Sequence, residues 1–174
     1  DLKKRYKEEK KEILSVIDNV LSKGNLIMTE EVFKFEKEIC RYTKSKYCSS
    51  LNSGTDALMM ALWACGIKKG DEVITTSKSF IATIGAIAHV GAIPVLVDVT
   101  EDLNINVNLI EKKITKKTKA IIPVHWTGRM CDMDKLEYLS KKYNIEIIED
   151  AAQAMGSYYK KRHAGKFSKV AAFS

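Results

Sequence analysis

Four short, nearly uninterrupted apolar runs, separated by stretches with helical spacing, restrict what this chain can fold into. They are Val73-Ile74-Thr75-Thr76, Pro94-Val95-Leu96-Val97-Asp98-Val99, Ala120 to Val124 and Ile145 to Glu149. A strand with one wet face alternates apolar and polar residues; these runs do not, so both faces are covered. Between them, Phe80 to Val90 is apolar almost all round, Asn108 to Ile114 is short, and Asp132 to Tyr143 is amphipathic. Strands alternating with helices predict an α/β fold, a mostly parallel sheet with helices on both faces. A short strand is also expected at Tyr47 to Leu51, followed by a helix from Thr55 to Cys65, and a last strand at Val170 to Phe173.

Residues 1 to about 22 read as a Lys/Glu-rich helix with Ile13, Ile17, Val20 and Leu21 on one face, ended by Lys23-Gly24-Asn25. A second helix follows Thr29, a suitable N-cap, with Val32, Phe35, Ile39 and Tyr42 on one stripe. Both are expected to pack outside the main sheet or against a partner. The expected organisation is an N-terminal helical segment over 1–45 and a partial large domain over 46–174. A doubly covered sheet rarely stops on a strand with no helix behind it. The sequence therefore reads as the N-terminal part of something longer.

With 174 residues, 45% of them hydrophobic and 29% charged, the chain has an ordinary globular balance and enough length for one core. Its net charge of +7 is spread over solvated Lys/Glu helix faces, which argues against a nucleic-acid tract. The dense basic cluster Lys160-Lys161-Arg162-His163, with Lys166 and Lys169, is either an exposed hairpin or a holder of an anion such as a nucleotide diphosphate. Cys40, Cys48, Cys65 and Cys131 form no C-x-x-C pair and no zinc-like spacing with His89, His125 or His163. The first three look like small core residues, and Cys131 falls in a loop. No run reaches membrane length and no secretory leader is visible, so a reduced, cytoplasmic setting is expected.

Chemistry concentrates where the expected strands end. Ile147-Ile148-Glu149-Asp150-Ala151-Ala152-Gln153-Ala154 delivers a carboxylate, Asp150, to the C-terminal end of a buried strand, the edge at which open α/β sheets bind ligands. A buried acid there needs a cation, and small residues follow it, leaving room for one. A helix cap or a structural ion pair would also explain it. Far upstream, Asn52-Ser53-Gly54-Thr55-Asp56-Ala57-Leu58 places a tight turn, free amides and the Thr55 hydroxyl at a helix start, as a phosphate cradle does. Alone, it is equally an ordinary N-cap. A phosphate at one end and a cationic ring nitrogen at the other describe pyridoxal phosphate. Phe80 then reads as a ring-stacking residue or as core, and Gln153 as a donor to a ring oxygen or a solvent-facing amide. Ser174 is a candidate phosphate donor. His125, beside Trp126 at the same edge, is a substrate-contact or proton-transfer candidate or a structural histidine.

In this order the residues resemble the DegT/DnrJ/EryC1/StrS family of pyridoxal-phosphate-dependent sugar aminotransferases. The matching stretches are Phe35-Glu36, Asn52 to Leu58, Gly70-Asp71-Glu72-Val73-Ile74 and Ser79-Phe80-Ile81-Ala82-Thr83. They continue with Gly91 to Val99, Pro123-Val124-His125, Glu149 to Ala154 and Ala172-Phe173-Ser174, covering the chain from about residue 20. The resemblance implies a fold-type-I large domain and a homodimer. It implies that Gly54, Thr55 and the Asp56 amide, with Ser174, hold the cofactor phosphate. Phe80 would stack on the ring, Asp150 would pair with the pyridinium nitrogen, and Gln153 would lie near the ring hydroxyl. The implied reaction moves an amino group, usually from glutamate, onto a keto group of a nucleotide-linked deoxysugar, for aminosugar and polysaccharide biosynthesis. The family's Schiff-base lysine would fall just past Ser174, with the small domain after it. The expectation is therefore that no catalytic residue lies in this chain, and that these 174 residues alone are inactive. A dehydratase relative with histidine in place of the lysine, and a non-catalytic remnant or dimerisation partner, are the competing readings.

Overall fold

The computed structural model describes residues 1–24 and 26–174. Asn25, expected to help end the first helix, lies outside the described residues. Two compact units emerge, Asp1–Tyr42 with Lys46–Ser50, and Thr43–Ser45 with Leu51–Ser174.

In the first unit, α1 (Leu2–Ser22) starts where the Asp1 carboxylate accepts from the Lys3 and Lys4 amides. No residue of α1 is buried, and its stripe from Ile13 to Leu21 stays largely open to solvent. Helix α2 (Glu30–Thr43) begins directly after Thr29, whose carbonyl takes the Val32 amide, with Glu30 and Glu31 in the first turn. Those acids suit the positive end of the helix dipole. The strand expected at Tyr47 to Leu51 does not form. Tyr47 is exposed, and the Ser50 amide bonds to the Glu36 carboxylate at 2.7 Å instead of to a neighbouring strand. The segment has too little apolar surface to earn a place in a sheet.

In the second unit, five parallel strands lie in the order β2 (Ile93–Val97), β1 (Glu72–Thr76), β3 (Thr118–Ile122), β4 (Glu146–Asp150) and β7 (Val170–Ala172). Alternation along each strand feeds two cores. Val73, Ala120, Ile122 and Ile148 meet α3 (Gly54–Ala64) and α4 (Ile81–His89) on one face. Ile74, Ile121 and Ile147 meet α5 (Val107–Ile110) and α6 (Met133–Tyr143) on the other. Both faces are dry, which is why these strands read as continuous apolar runs. The expected short helix at Asn108 to Ile114 is α5 followed by a 3-10 turn over Glu111–Lys113.

The expected basic cluster is a hairpin, β5 (Tyr158–Tyr159) against β6 (Arg162–His163), with Lys160 and Lys161 at positive φ in the turn. Most of its charges are paired locally. Lys160 pairs with Asp134, Arg162 with Glu137 at 3.0 Å, and the Lys166 ammonium donates to the Lys44 carbonyl at 2.8 Å. These pairings argue against the diphosphate-holding alternative. Chain order runs outward from β1 to β2, then returns to β3 on the other side of β1, and this reversal opens a crevice at the strand C-termini.

Candidate active site

All five parallel strands end at one edge, and four of them deliver the site. After β1 comes Ser79-Phe80, after β3 Val124-His125-Trp126, at the end of β4 Asp150, and after β7 Ser174. They surround a cleft of ≈ 760 Å³ measured out to its open mouth.

One wall is the start of α3. Ser53 caps it, its hydroxyl oxygen accepting from the Asp56 amide at 3.1 Å and donating to the Asp56 carboxylate at 3.0 Å. The Asp56 amide is therefore committed to the cap, and Asp56 does not line the cleft. The expected contact of this amide with a phosphate would share its hydrogen with the Ser53 hydroxyl. The amides of Gly54 and Thr55, in the first turn where no helical acceptor exists, keep their hydrogens free for an anion. Ser174 stands directly against them: a Cβ on Gly54 would lie 2.7 Å from the Ser174 Cβ and 2.9 Å from its Oγ. Glycine is required for this approach, not for a special backbone angle.

Opposite stands Asp150, only 5% exposed. The Thr83 hydroxyl donates to one of its oxygens at 2.7 Å, and the Ala152 amide to the other at 3.3 Å. Thr83 gives its only proton to the carboxylate, so the Ser79 hydroxyl, 2.6 Å away, donates in turn to Thr83. No Lys or Arg pairs with Asp150 among the described residues. The carboxylate faces a space lined by small residues, Ala82, Ala152 and Ala172. A buried acid with two neutral donors and an open side fits a cationic ring nitrogen.

Phe80 is 70% exposed while lining the cleft, which removes the core alternative and leaves its ring face available to a flat ligand. Trp126 lines the same space, with the Lys78 ammonium 5.5 Å from its ring centre. Gln153 also lines the cleft, and its Oε1 accepts from the Thr127 amide at 2.8 Å.

His125 lines the cleft, but its bonds favour the structural alternative over proton transfer. Its ring is fully engaged indoors: Nδ1 accepts from the Cys131 amide at 3.3 Å, so the ring proton sits on Nε2, which meets Glu149 at 3.0 Å. Both side chains are 0% exposed. Glu149 further accepts from the Gly165 amide (2.8 Å), the Phe167 amide (2.9 Å) and the Ser168 hydroxyl (2.7 Å). Burial pushes this carboxyl up. The bonds from His125, Gly165 and Ser168 outweigh burial and hold it below the usual glutamate range. Cys131 is likewise buried, its thiol pushed up to about 12 by burial, and it donates to the Val124 carbonyl at 3.3 Å. These groups brace the cleft wall from behind.

Sequence reasoning did not single out Thr83 as the partner of Asp150, Glu149 as a braced acid, or Asn104 beneath the Trp126 turn. A hydroxyl one turn beyond Phe80 was the only local signal for Thr83.

Residues 7–174 match the model of the DegT/DnrJ/EryC1/StrS aminotransferase family. A pleiotropic regulatory protein of Geobacillus stearothermophilus is 41% identical over 175 residues, covering 100% of this chain and 47% of that protein. A dTDP-3-amino-3,6-dideoxy-alpha-D-galactopyranose transaminase of Aneurinibacillus thermoaerophilus is 42% identical, covering 100% and 48%. Among solved structures, DesV of S. venezuelae in complex with a ketimine intermediate superposes with TM-score 0.95 at 41% identity, covering 100% of this chain and 47% of that one. NtdA of Bacillus subtilis with bound cofactor PMP gives 0.86 at 35%, covering 91% and 37%. The chain spans about half the length of the curated relatives it matches.

Proposed function

The chain belongs to the DegT/DnrJ/EryC1/StrS aminotransferase family, and from that premise we propose that it forms the cofactor-binding part of a pyridoxal-phosphate-dependent sugar-nucleotide aminotransferase. The protein moves an amino group, from glutamate, onto the keto carbon of a nucleotide-linked deoxysugar in aminosugar or polysaccharide biosynthesis. It works as a cytoplasmic homodimer, with the sheet unit as the large domain. When bound, pyridoxal phosphate supplies an electron sink for the carbon that gains or loses the amine.

The roles of the residues follow from their chemistry. The free amides of Gly54 and Thr55, the Thr55 hydroxyl and Ser174 bind the phosphate, and Phe80 covers one ring face. Asp150, kept in place by Thr83 and the Ala152 amide, holds a proton on the ring nitrogen. Gln153 meets the ring hydroxyl. None of the described lysines lines the cleft; in this reading the lysine that anchors the cofactor follows Ser174 in sequence.

One observation carries the proposal: an anion-receiving helix start and a cation-seeking buried acid share one cleft, with an exposed aromatic ring between β1 and α4. The full-length protein should bind pyridoxamine 5′-phosphate at micromolar concentration and pass nitrogen from glutamate to a nucleotide-linked ketosugar. Absence of any saturable binding of either vitamin B6 phosphate would overturn it.

A further inference from the structure

Gln153 is an amide whose two ends do opposite things, and the fold has chosen between them. The Thr127 N–H is a donor and meets only an acceptor, so the Gln153 oxygen must face it, at 2.8 Å. The NH2 group is then the end left to the cleft, and it meets no acceptor among the described residues. That orientation does not depend on how the amide is drawn, because chemistry fixes it.

The Thr127 amide is itself held in an unfavourable place. Thr127 has φ 53° and Gly128 φ 83°, a left-handed pair in which a β-branched residue is uncommon. Such a turn persists only where its surroundings over-determine it. Here they do. Asn104, 3% exposed and outside the cleft lining, grips both ends of the turn: its Oδ1 accepts from the Trp126 amide and its Nδ2 donates to the Arg129 carbonyl, each at 3.1 Å. The Ser157 hydroxyl donates to the Gly128 carbonyl between them at 2.6 Å. Asn104 is fixed in turn, its amide donating to Asp102 at 3.1 Å and its carbonyl accepting from the Thr100 amide at 2.9 Å.

We propose that Asn104 is a positioning residue: by clamping the Trp126–Arg129 turn it locks Gln153 as a hydrogen-bond donor to the cleft, selecting an anionic ring oxygen on the bound ligand. The inference rests on the cofactor reading above. Without the clamp, Gln153 is free to rotate and present its carbonyl, which an anionic oxygen repels.

The test compares affinities of the full-length protein for pyridoxamine 5′-phosphate and its 3-deoxy analogue, which lacks the ring hydroxyl. A donor to a charged oxygen is worth about tenfold in this ratio. Gln153→Ala brings the ratio close to one, and Asn104→Ala brings it to within about twofold of that. The double variant loses nothing more, because both act through one bond. Asn104→Asp keeps the acceptor for Trp126 but not the donor to Arg129, and gives an intermediate ratio should the alanine variant fail to fold. In the ligand-free protein, hydrogen exchange at the Thr127 amide speeds up in both single variants. A folded Asn104 variant that keeps the wild-type ratio, or losses that simply add, overturns the inference. A wild-type protein that binds neither probe sinks the cofactor reading instead, while exchange at Thr127 still reports on the clamp.

Discussion

At the end of β4 two carboxylates stand side by side in sequence and on opposite faces of the sheet. Glu149 turns toward the α6 side, where His125, Gly165, Phe167 and Ser168 answer it with four donors. Asp150 turns toward α4, has the Thr83 hydroxyl and the Ala152 amide, and borders open space. Both are almost wholly buried. Burial alone therefore does not mark the functional acid; what marks it is the charge left unanswered. One carboxylate ties the hairpin and the β7 approach to the sheet, and its neighbour borders the cleft.

The sharpest way to break this contrast is to remove each acid. Glu149→Leu leaves the buried His125 and Phe167 donors and the half-buried Gly165 amide without an acceptor, while the Ser168 hydroxyl can still turn to the Val170 carbonyl. At about 1–3 kcal/mol for each unsatisfied group, with some relief from water, stability should fall by roughly 4 kcal/mol or more. Urea unfolding measures this; a loss below about 1 kcal/mol would show that the network is ornamental. Asp150→Asn should do the reverse. The amide keeps the Thr83 contact, so stability should stay within about 1 kcal/mol. Affinity for pyridoxamine 5′-phosphate should drop by about two orders of magnitude, the cost of a buried cation without its partner. If the two variants exchange these phenotypes, the assignment of roles is wrong.

Protonation is a gentler form of the Glu149 test. Its folded pKa is depressed below the ordinary 4.5. The stability it contributes is therefore fully present above that ordinary value and is lost as pH falls through the folded value. Wild type should lose stability steeply below about pH 4.5, while Glu149→Gln, weaker at neutral pH, should show a flatter acid limb. The gap between them should narrow on acidification. Parallel limbs from pH 6 to pH 3 would contradict the depressed carboxyl. The effect is smaller than deletion because a protonated carboxyl still accepts hydrogen bonds.

What was legible in the sequence follows the same division. Asp150, Thr55, Phe80 and Ser174 were readable because each sits at the end or start of an element that announces itself locally, by a β-run or by a helix-starting Ser-Gly-Thr. The doubly covered sheet was readable because dry faces force continuous apolar runs. Bonds between distant residues were not. Thr83 meets Asp150 across 67 residues and Asn104 meets Trp126 across 22, and no periodicity encodes such pairings. For His125 the sequence leaves a reactive and a structural reading open, and only the bonds at both ring nitrogens, made to residues 6 and 24 positions away, favour the structural one. The strand expected at Tyr47 to Leu51 failed because a short apolar flicker is weak evidence for pairing, and Glu36 captured the Ser50 amide.

The smallest expected effect lies at the far wall from Asp150, where the contrast between the acids predicts that stability and binding can be separated once more. Gly54→Ala places a methyl 2.7 Å from the Ser174 Cβ, so one of the two must move. Alanine suits the first turn of a helix, which offsets part of the strain. Net destabilisation should be about 1 kcal/mol, at the mild end for overpacking. The atoms nearest the new methyl belong to the Ser174 side chain, so the Ser174 hydroxyl is the group that gives way. Its displacement removes one donor from the anion-receiving wall, and affinity for pyridoxamine 5′-phosphate should fall about tenfold. Affinity for unphosphorylated pyridoxamine should scarcely change. Equal losses for both ligands would mean that the α3 start does not hold the phosphate, and the cleft would have to be read with its polarity reversed.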